Sequence, residues 1–143
     1  MYETILLPTD GSSGTVQALD HALAIATARN STVHVLYVYD KRHYMAAPEE
    51  TKAEIRKSLE EEGKRAIDDA RIRIEDEGVE CVTATQEGIP HKTIVEYATA
   101  EDIDLVVMGT HGKTGREQIA TLGSTTERVV KSGDVPVLVV ELE

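Results

Sequence analysis

A glycine-rich segment in the last third of the sequence contains the residues best suited to binding chemistry. It reads GTHGKTGR from Gly109 to Arg116, and Gly123-Ser124-Thr125-Thr126 follows after a short stretch. Glycines let the backbone turn its N–H groups toward an anion, and a helix opening at Ser124 would direct its positive end at the same anion. Lys113 adds a positive charge. The segment therefore predicts a phosphate-binding loop; a solvent-exposed glycine-rich loop before a capped helix is the alternative.

Two common nucleotide motifs are absent. Gly112-Lys113-Thr114 looks like the end of a P-loop, but the leading glycine would have to stand at position 107, which is Val107. The segment from Pro8 to Gly14, after the first apolar run, lacks the GxGxxG pattern of dinucleotide-binding proteins. A Walker A site and a nicotinamide or flavin dinucleotide are therefore not expected.

The glycine-rich segment offers charge for phosphoryl transfer but no evident base. Such a reaction needs a positioned metal, cations and a group that orients the nucleophile. Lys113 and Arg116 supply cations, and His111 is interpreted as a loop-packing or phosphate-contacting residue. The other histidines are scattered and form no pattern with serine and aspartate. We therefore assign no catalytic residue and expect slow hydrolysis or none.

Apolar runs rich in β-branched residues alternate with segments of helical periodicity. The predicted strands are Tyr2–Leu7, Thr32–Tyr39, Val79–Gln86, Leu105–Met108 and Val135–Val140. The predicted helices are Thr15–Arg29, Pro48 or Glu49 to Glu77, one starting near Pro90, and Ser124–Lys131.

This alternation predicts a doubly wound α/β fold. Strands that are apolar on both faces indicate a parallel sheet covered by helices on both sides. Ligands of this class bind outside the carboxyl ends of the strands, so the candidate loops follow Leu7, Tyr39, Gln86 and Met108. The connector Asp40–Pro48 would lie over such a site, as a gate or as a simple mobile link.

Composition limits the class of partner. The 143 residues suit one domain, residues 1–143, and the net charge of -11 opposes binding to nucleic acid. No apolar stretch approaches the ~20 residues of a membrane span. The single cysteine, Cys81, is expected to be a small core residue. We expect a soluble cytoplasmic protein that contacts neither membrane nor nucleic acid.

Several fragments together resemble the universal stress protein family, in its ATP-binding branch. They are Ile5–Ser12, Tyr37–Asp40, Gly88–Pro90, Val107–Gly115, Gly123–Val130 and Val135–Val140, and they extend over nearly the whole chain. The resemblance implies a five-stranded parallel sheet of order 3-2-1-4-5, like that of adenine nucleotide alpha hydrolases. It also implies a stress or regulatory protein that binds ATP, or AMP, with Mg²⁺ or Mn²⁺ held through the phosphates.

The resemblance also assigns binding roles. Asp10 and the backbone of Gly109 would meet the ribose, and the backbone of Val38 would meet the adenine edge. For Asp10 the alternative is a turn residue that bonds its own loop backbone. The remaining assignments are Pro8, Thr9 and Met108 around base and ribose, and Gly112, Lys113, Gly123, Ser124 and Thr125 at the phosphates.

The spacing of the phosphate motif departs from the family pattern. ATP-binding members carry Gly, two residues, Gly, nine residues, then Gly and Ser or Thr. Gly109, Gly112, Gly123 and Ser124 match, but ten residues, 113–122, separate the last two glycines. Three hypotheses stay open: a nucleotide-responsive regulatory protein; a slow ATPase or self-phosphorylating protein using Ser124, Thr125 or Thr114; and a dimeric scaffold that no longer binds nucleotide.

The last predicted strand suggests a homodimer. An apolar strand at the edge of a sheet exposes unpaired N–H and C=O groups that invite a second strand. Pro136 cannot donate to such a ladder, so pairing would involve the region of Val137 and Val139. The family resemblance implies the same two-fold contact.

Overall fold

The computed structural model describes residues 1–12, 14–110 and 123–142. Gly112 and Lys113 therefore lie outside the described residues. The strands are β1 (Thr4–Thr9), β2 (Thr32–Asp40), β3 (Glu80–Gly88), β4 (Leu105–Gly109) and β5 (Val137–Val140). The helices are α1 (Gly14–Arg29), α2 (Glu49–Asp76), α3 (Pro90–Ala100) and α4 (Ser124–Ser132), and a short 3-10 turn spans Lys41–His43.

The described strands form one parallel five-stranded sheet in the order β3-β2-β1-β4-β5. This confirms the predicted class and strand order. The connection from β1 leads through α1 to β2, whereas the connection from β4 leads through α4 to β5 on the other side. The topological switch point therefore lies between the carboxyl ends of β1 and β4.

Two apolar layers cover the sheet because side chains alternate along each strand. Ile5 and Leu7 of β1 face one layer, which α1 and α2 complete, and Leu6 faces the other, which α3 and α4 complete. All three are fully buried, which explains why the strands are apolar without alternation. None of the described helices is both long and apolar enough to cross a membrane.

Several predicted strand boundaries were wrong by one or two residues, and two of the differences involve proline. β1 continues through Pro8 to Thr9 instead of ending at Leu7, because its pairing with β2 persists to the end of the strand. β5 begins at Val137 instead of Val135. Pro136 has no N–H, and its carbonyl accepts a hydrogen bond from Val106 N at 2.9 Å. The edge strand is therefore four residues long, shorter than predicted.

Candidate functional site

The end of β1 separates from β4 at the switch point. In the described residues β1 pairs with β4 at Ile5 and Leu6, whereas it pairs with β2 as far as Thr9. Pro8 lies on the stretch beyond the β4 ladder and has no N–H to offer a neighbouring strand. The two strands thus leave between them the crevice in which ligands of this class bind.

The turn after β1 is fixed by its own side chains. Thr9 Oγ1 lies 3.0 Å from Thr15 Oγ1 and accepts a hydrogen bond from Gly11 N at 3.1 Å. Asp10 Oδ1 accepts one from Ser12 N at 2.9 Å, and Gly11 adopts a φ of +83°. Asp10 thus bonds its own loop backbone, as its alternative role predicted. A carboxylate accepts several hydrogen bonds, so this bond is compatible with a ligand hydroxyl.

The end of β4 is tied to the start of α4. Thr126 Oγ1 donates to the carbonyl of Gly109 at 2.8 Å, and Gly123 N donates to the carbonyl of Thr110. Thr110 N in turn bonds Val140 O at 3.0 Å. These contacts bring the amino-terminal end of α4 next to the carboxyl end of β4. Two predicted phosphate-contacting residues, Ser124 and Thr125, form the first positions of that helix.

Gly109 stands at a close approach. A Cβ on this residue would lie 2.9 Å from Leu142 Cδ1, too near for an ordinary contact. A side chain here would displace Leu142, which is a small shift because the contacted atoms belong to the end of a flexible side chain.

The connector after β2 is anchored at its centre. Tyr44 is only 5% exposed, and its hydroxyl donates to the carboxylate of Glu87 on β3. Burial, followed by that hydrogen bond and the charge of Glu87, raises the pKa of Tyr44 to about 12. Arg56 of α2 adds an ion pair with Glu87 at 3.4 Å. The connector is thus attached to β3 through Glu87, and α2 is paired with the same carboxylate.

Asp40 ends β2 and caps the 3-10 turn. Its carboxylate accepts hydrogen bonds from Arg42 N at 3.1 Å, Nε at 2.9 Å and Nη2 at 2.7 Å. Burial by itself raises the pKa of Asp40, but the hydrogen bonds and charge of Arg42 outweigh it and lower the pKa. The side chain of Val38, two residues earlier, packs against the layer formed by α3 and α4.

Positive side chains approach the start of α3. The pKa of His91 is lowered, first by burial and then by the positive charges of Arg128, Lys92 and Arg42. These cations come from α4, α3 and the 3-10 turn. Although the chain has a net charge of -11, three positive side chains thus lie near the start of α3, one of them paired with Asp40.

The predicted site residues within the described ranges share one edge of the sheet. Pro8 and Thr9 end β1 and Asp10 follows it, Val38 lies near the end of β2, and Met108 and Gly109 end β4. Gly123 precedes α4, and Ser124 and Thr125 open it. In those same ranges no three His, Cys, Asp or Glu side chains gather into a set that could hold a metal ion.

Sequence reasoning missed Glu62 of α2. Its carboxylate reaches the turn after β1, where a Cβ on Gly11 would lie 2.9 Å from Glu62 Oε1. The available signal was Gly63, a glycine inside an otherwise regular helical pattern, which usually has a packing or functional reason.

The fold is that of a doubly wound α/β protein with its switch point between β1 and β4. The model of the Universal stress protein family matches residues 1–141. Universal stress protein MJ0531 of Methanocaldococcus jannaschii is 42% identical over 99% of this chain and 83% of its own length. The chain belongs to the universal stress protein family.

Two solved structures extend the comparison. Hypothetical protein MJ0577 is 39% identical, with coverage of 100% of this chain and 98% of that chain and a TM-score of 0.92. A universal stress protein in complex with cAMP is 26% identical, with coverage of 99% of this chain and 98% of that chain and a TM-score of 0.72.

Proposed function

We propose that this universal stress protein binds an adenine nucleotide at the carboxyl edge of β1 and β4 and acts as a nucleotide-responsive stress or regulatory protein in the cytoplasm. ATP is the proposed ligand, with AMP as the alternative. The observation that supports this most is that the Thr9–Gly11 turn and the start of α4 lie at the carboxyl ends of β1 and β4, the two strands that flank the switch point. The similar universal stress protein solved with cAMP supports a nucleotide as the ligand class.

The nucleoside would lie between the ends of three strands. Asp10 is proposed to accept hydrogen bonds from the ribose hydroxyls, together with the backbone of Gly109. The backbone of Val38 would meet the polar edge of adenine. Half-buried Pro8, and Thr9 and Met108, which are 7% and 8% exposed, would form the walls of the pocket.

The phosphates would meet the start of α4. The first N–H groups of a helix lack partners within the helix and carry partial positive charge. Gly123 precedes α4 and supplies no side-chain cap, so phosphate oxygens could accept from the N–H groups of Ser124 and Thr125. Gly112 and Lys113 belong to the same proposed contact set by family resemblance. Mg²⁺ or Mn²⁺ would be held through the phosphate oxygens.

Calorimetric titration of desalted protein tests this function. We would add ATP, AMP and GTP, each with and without magnesium, to wild-type protein and to Asp10→Ala. Asp134→Asn is the matched control, because it changes an exposed carboxylate before β5, at the opposite edge of the sheet. Micromolar ATP binding, weaker GTP binding and a loss only in Asp10→Ala would support the proposal. No heat from folded, ligand-free protein would favour the dimeric scaffold.

A second candidate is slow hydrolysis or self-phosphorylation. Ser124 is exposed at the first position of α4, near the proposed phosphates, and Thr125 follows it. Phosphate release above background, or a phosphate on either residue or on Thr114 by mass spectrometry, would favour this candidate. ATP binding without either product would favour the regulatory role.

We also propose that β5 pairs with a second copy of the chain. β5 is an edge strand, and its residues Val137, Leu138 and Val139 are only half-buried. Unpaired backbone groups beside apolar side chains favour strand pairing. Light scattering at micromolar protein should give the mass of a dimer; a monomer would contradict this proposal.

A further inference from the structure

The long helix α2 approaches the sheet unusually closely at Gly63. A Cβ at this position would lie 2.7 Å from Cδ1 and 2.8 Å from Cε1 of Tyr37. Tyr37 is 2% exposed and stands in the core face of β2. Glycine weakens a helix interior, so we attribute its presence in the 28-residue α2 to this close approach to β2.

The residue before that glycine reaches the turn that ends β1. A Cβ on Gly11 would meet three atoms of Glu62, with Oε1 at 2.9 Å, Cγ at 3.4 Å and Cδ at 3.5 Å. Gly11 also has a φ of +83°, a conformation that favours glycine. The contact of α2 with β2 therefore brings a carboxylate against the backbone of the proposed ribose loop.

Two carboxylates, those of Glu62 and Asp10, act on the buried ring of Tyr37. The pKa of Tyr37 is raised to about 12, first by burial and then by the negative charges of Glu62 and Asp10. Both carboxylates therefore act on the same buried phenol. Asp10 is also part of the turn, since it accepts the N–H of Ser12. A displacement of Gly11 would consequently displace the Asp10 carboxylate as well.

We propose that Glu62 is a positioning residue for ribose recognition, holding the Asp10–Gly11 turn so that Asp10 meets the ribose hydroxyls. This inference rests on the proposed nucleotide function and deepens it. Nucleotide binding and the packing of α2 on β2 are thereby linked through one side chain. A residue that served only stability would affect all nucleotides equally.

The test compares nucleotides that differ in their ribose hydroxyls. ATP, 2′-deoxy-ATP and 3′-deoxy-ATP would be titrated into wild-type protein, Glu62→Ala and Glu62→Gln. Glu61→Ala is the matched control, because it removes an exposed carboxylate from the adjacent position of α2. Thermal unfolding of each variant reports stability separately.

We expect Glu62→Ala to lower ATP affinity about tenfold and to reduce the preference for ATP over the deoxy analogues, the effect of losing one charge-assisted hydrogen bond between Asp10 and a ribose hydroxyl. Glu62→Gln keeps the length and one carbonyl oxygen and should stay within about threefold of wild type. Glu61→Ala should match wild type. In Asp10→Ala, adding Glu62→Ala should cause little further loss, because both changes remove the same interaction.

Three results would overturn the proposal. One is an equal loss of affinity for ATP and for both deoxy analogues, which would indicate a role in stability alone. Another is wild-type affinity and selectivity in Glu62→Ala. Full additivity of the Asp10 and Glu62 changes is the third. If wild-type protein bound no adenine nucleotide at all, the proposed function would fail as well, which the wild-type titration reveals independently.

Discussion

Replacing Gly63 with alanine tests how α2 is fitted to the sheet. On an exposed helix this change stabilises the helix by about 1 kcal/mol, because alanine has the higher helix propensity. At Gly63 the new methyl group would stand 2.7 Å from Tyr37 Cδ1. Carbon atoms prefer about 3.5–4.0 Å, so helix or ring would have to move by about 1 Å.

The steric effect should exceed the gain in propensity. Tyr37 is buried in the core, and its ring packs edge-on against Tyr39 with centroids 5.2 Å apart, so it has little space to move. Overpacking of a well-packed core costs typically about 1–3 kcal/mol. After the propensity gain is subtracted, we expect Gly63→Ala to lower the free energy of unfolding by up to about 2 kcal/mol.

Urea unfolding followed by far-ultraviolet circular dichroism measures this change. The sequence contains no tryptophan, so the helical signal is the more suitable probe. Protein concentration must be held constant in case a dimer unfolds. Ser58→Ala, at an exposed position of the same helix, is the control and should be neutral or slightly stabilising.

Stabilisation of Gly63→Ala by about 1 kcal/mol would refute the reasoning, since the helix would then behave as if exposed. If the change in unfolding free energy lies between these two values, its cause can be tested by measuring Gly63→Ala in a Tyr37→Leu background. Removal of the ring should there recover much of the lost stability. Purely additive effects would show that the clash is not with Tyr37.

Two further contacts give independent predictions. His34 is 7% exposed and hydrogen-bonded to Tyr97 at 2.8 Å; burial lowers its pKa, partly offset by nearby carboxylates. The unfolded chain therefore takes up a proton first, and stability should fall as pH drops from about 6.5 through the lowered pKa. His34→Asn should flatten that pH dependence in urea titrations. Thr126→Val should cost about 1 kcal/mol of unfolding free energy and weaken ATP binding, because it removes the 2.8 Å bond to Gly109; Thr126→Ser should preserve both.

Local signals predicted most of the architecture. Periodicity and alternation identified the five strands and four α-helices of the described chain. Gly78, with a φ of +75°, follows the end of α2 as a glycine often does after a helix. The predicted end of β1 at Leu7 was wrong because proline is usually excluded from a central strand, and Pro8 was therefore placed outside it. Proline is accommodated in β1 because position 8 lies beyond the last residue that pairs with β4. The end of that pairing is set by the tertiary structure.

The candidate site was only partly predictable for the same reason. Residues at strand ends, such as Asp10 and Gly109, follow from the chain order because parallel strands bring their carboxyl ends together. Glu62 contacts a residue far away in sequence, and only the packing of α2 reveals it. Tyr44 likewise became an anchor through a carboxylate on β3, whereas its segment was expected to be a gate or a mobile link.

An anionic ligand is compatible with a chain of net charge -11 because dissolved salt screens the repulsion from distant charges. At physiological ionic strength the screening length is about 8 Å, so exposed carboxylates on the far part of α2 exert little force at the crevice. The start of α4 and the cations around His91 lie at the same edge as the proposed phosphates. A long polyanion would also have to pass over acidic surface, whereas the proposed mononucleotide would need to contact only this edge. The net charge is therefore compatible with the proposed ATP site.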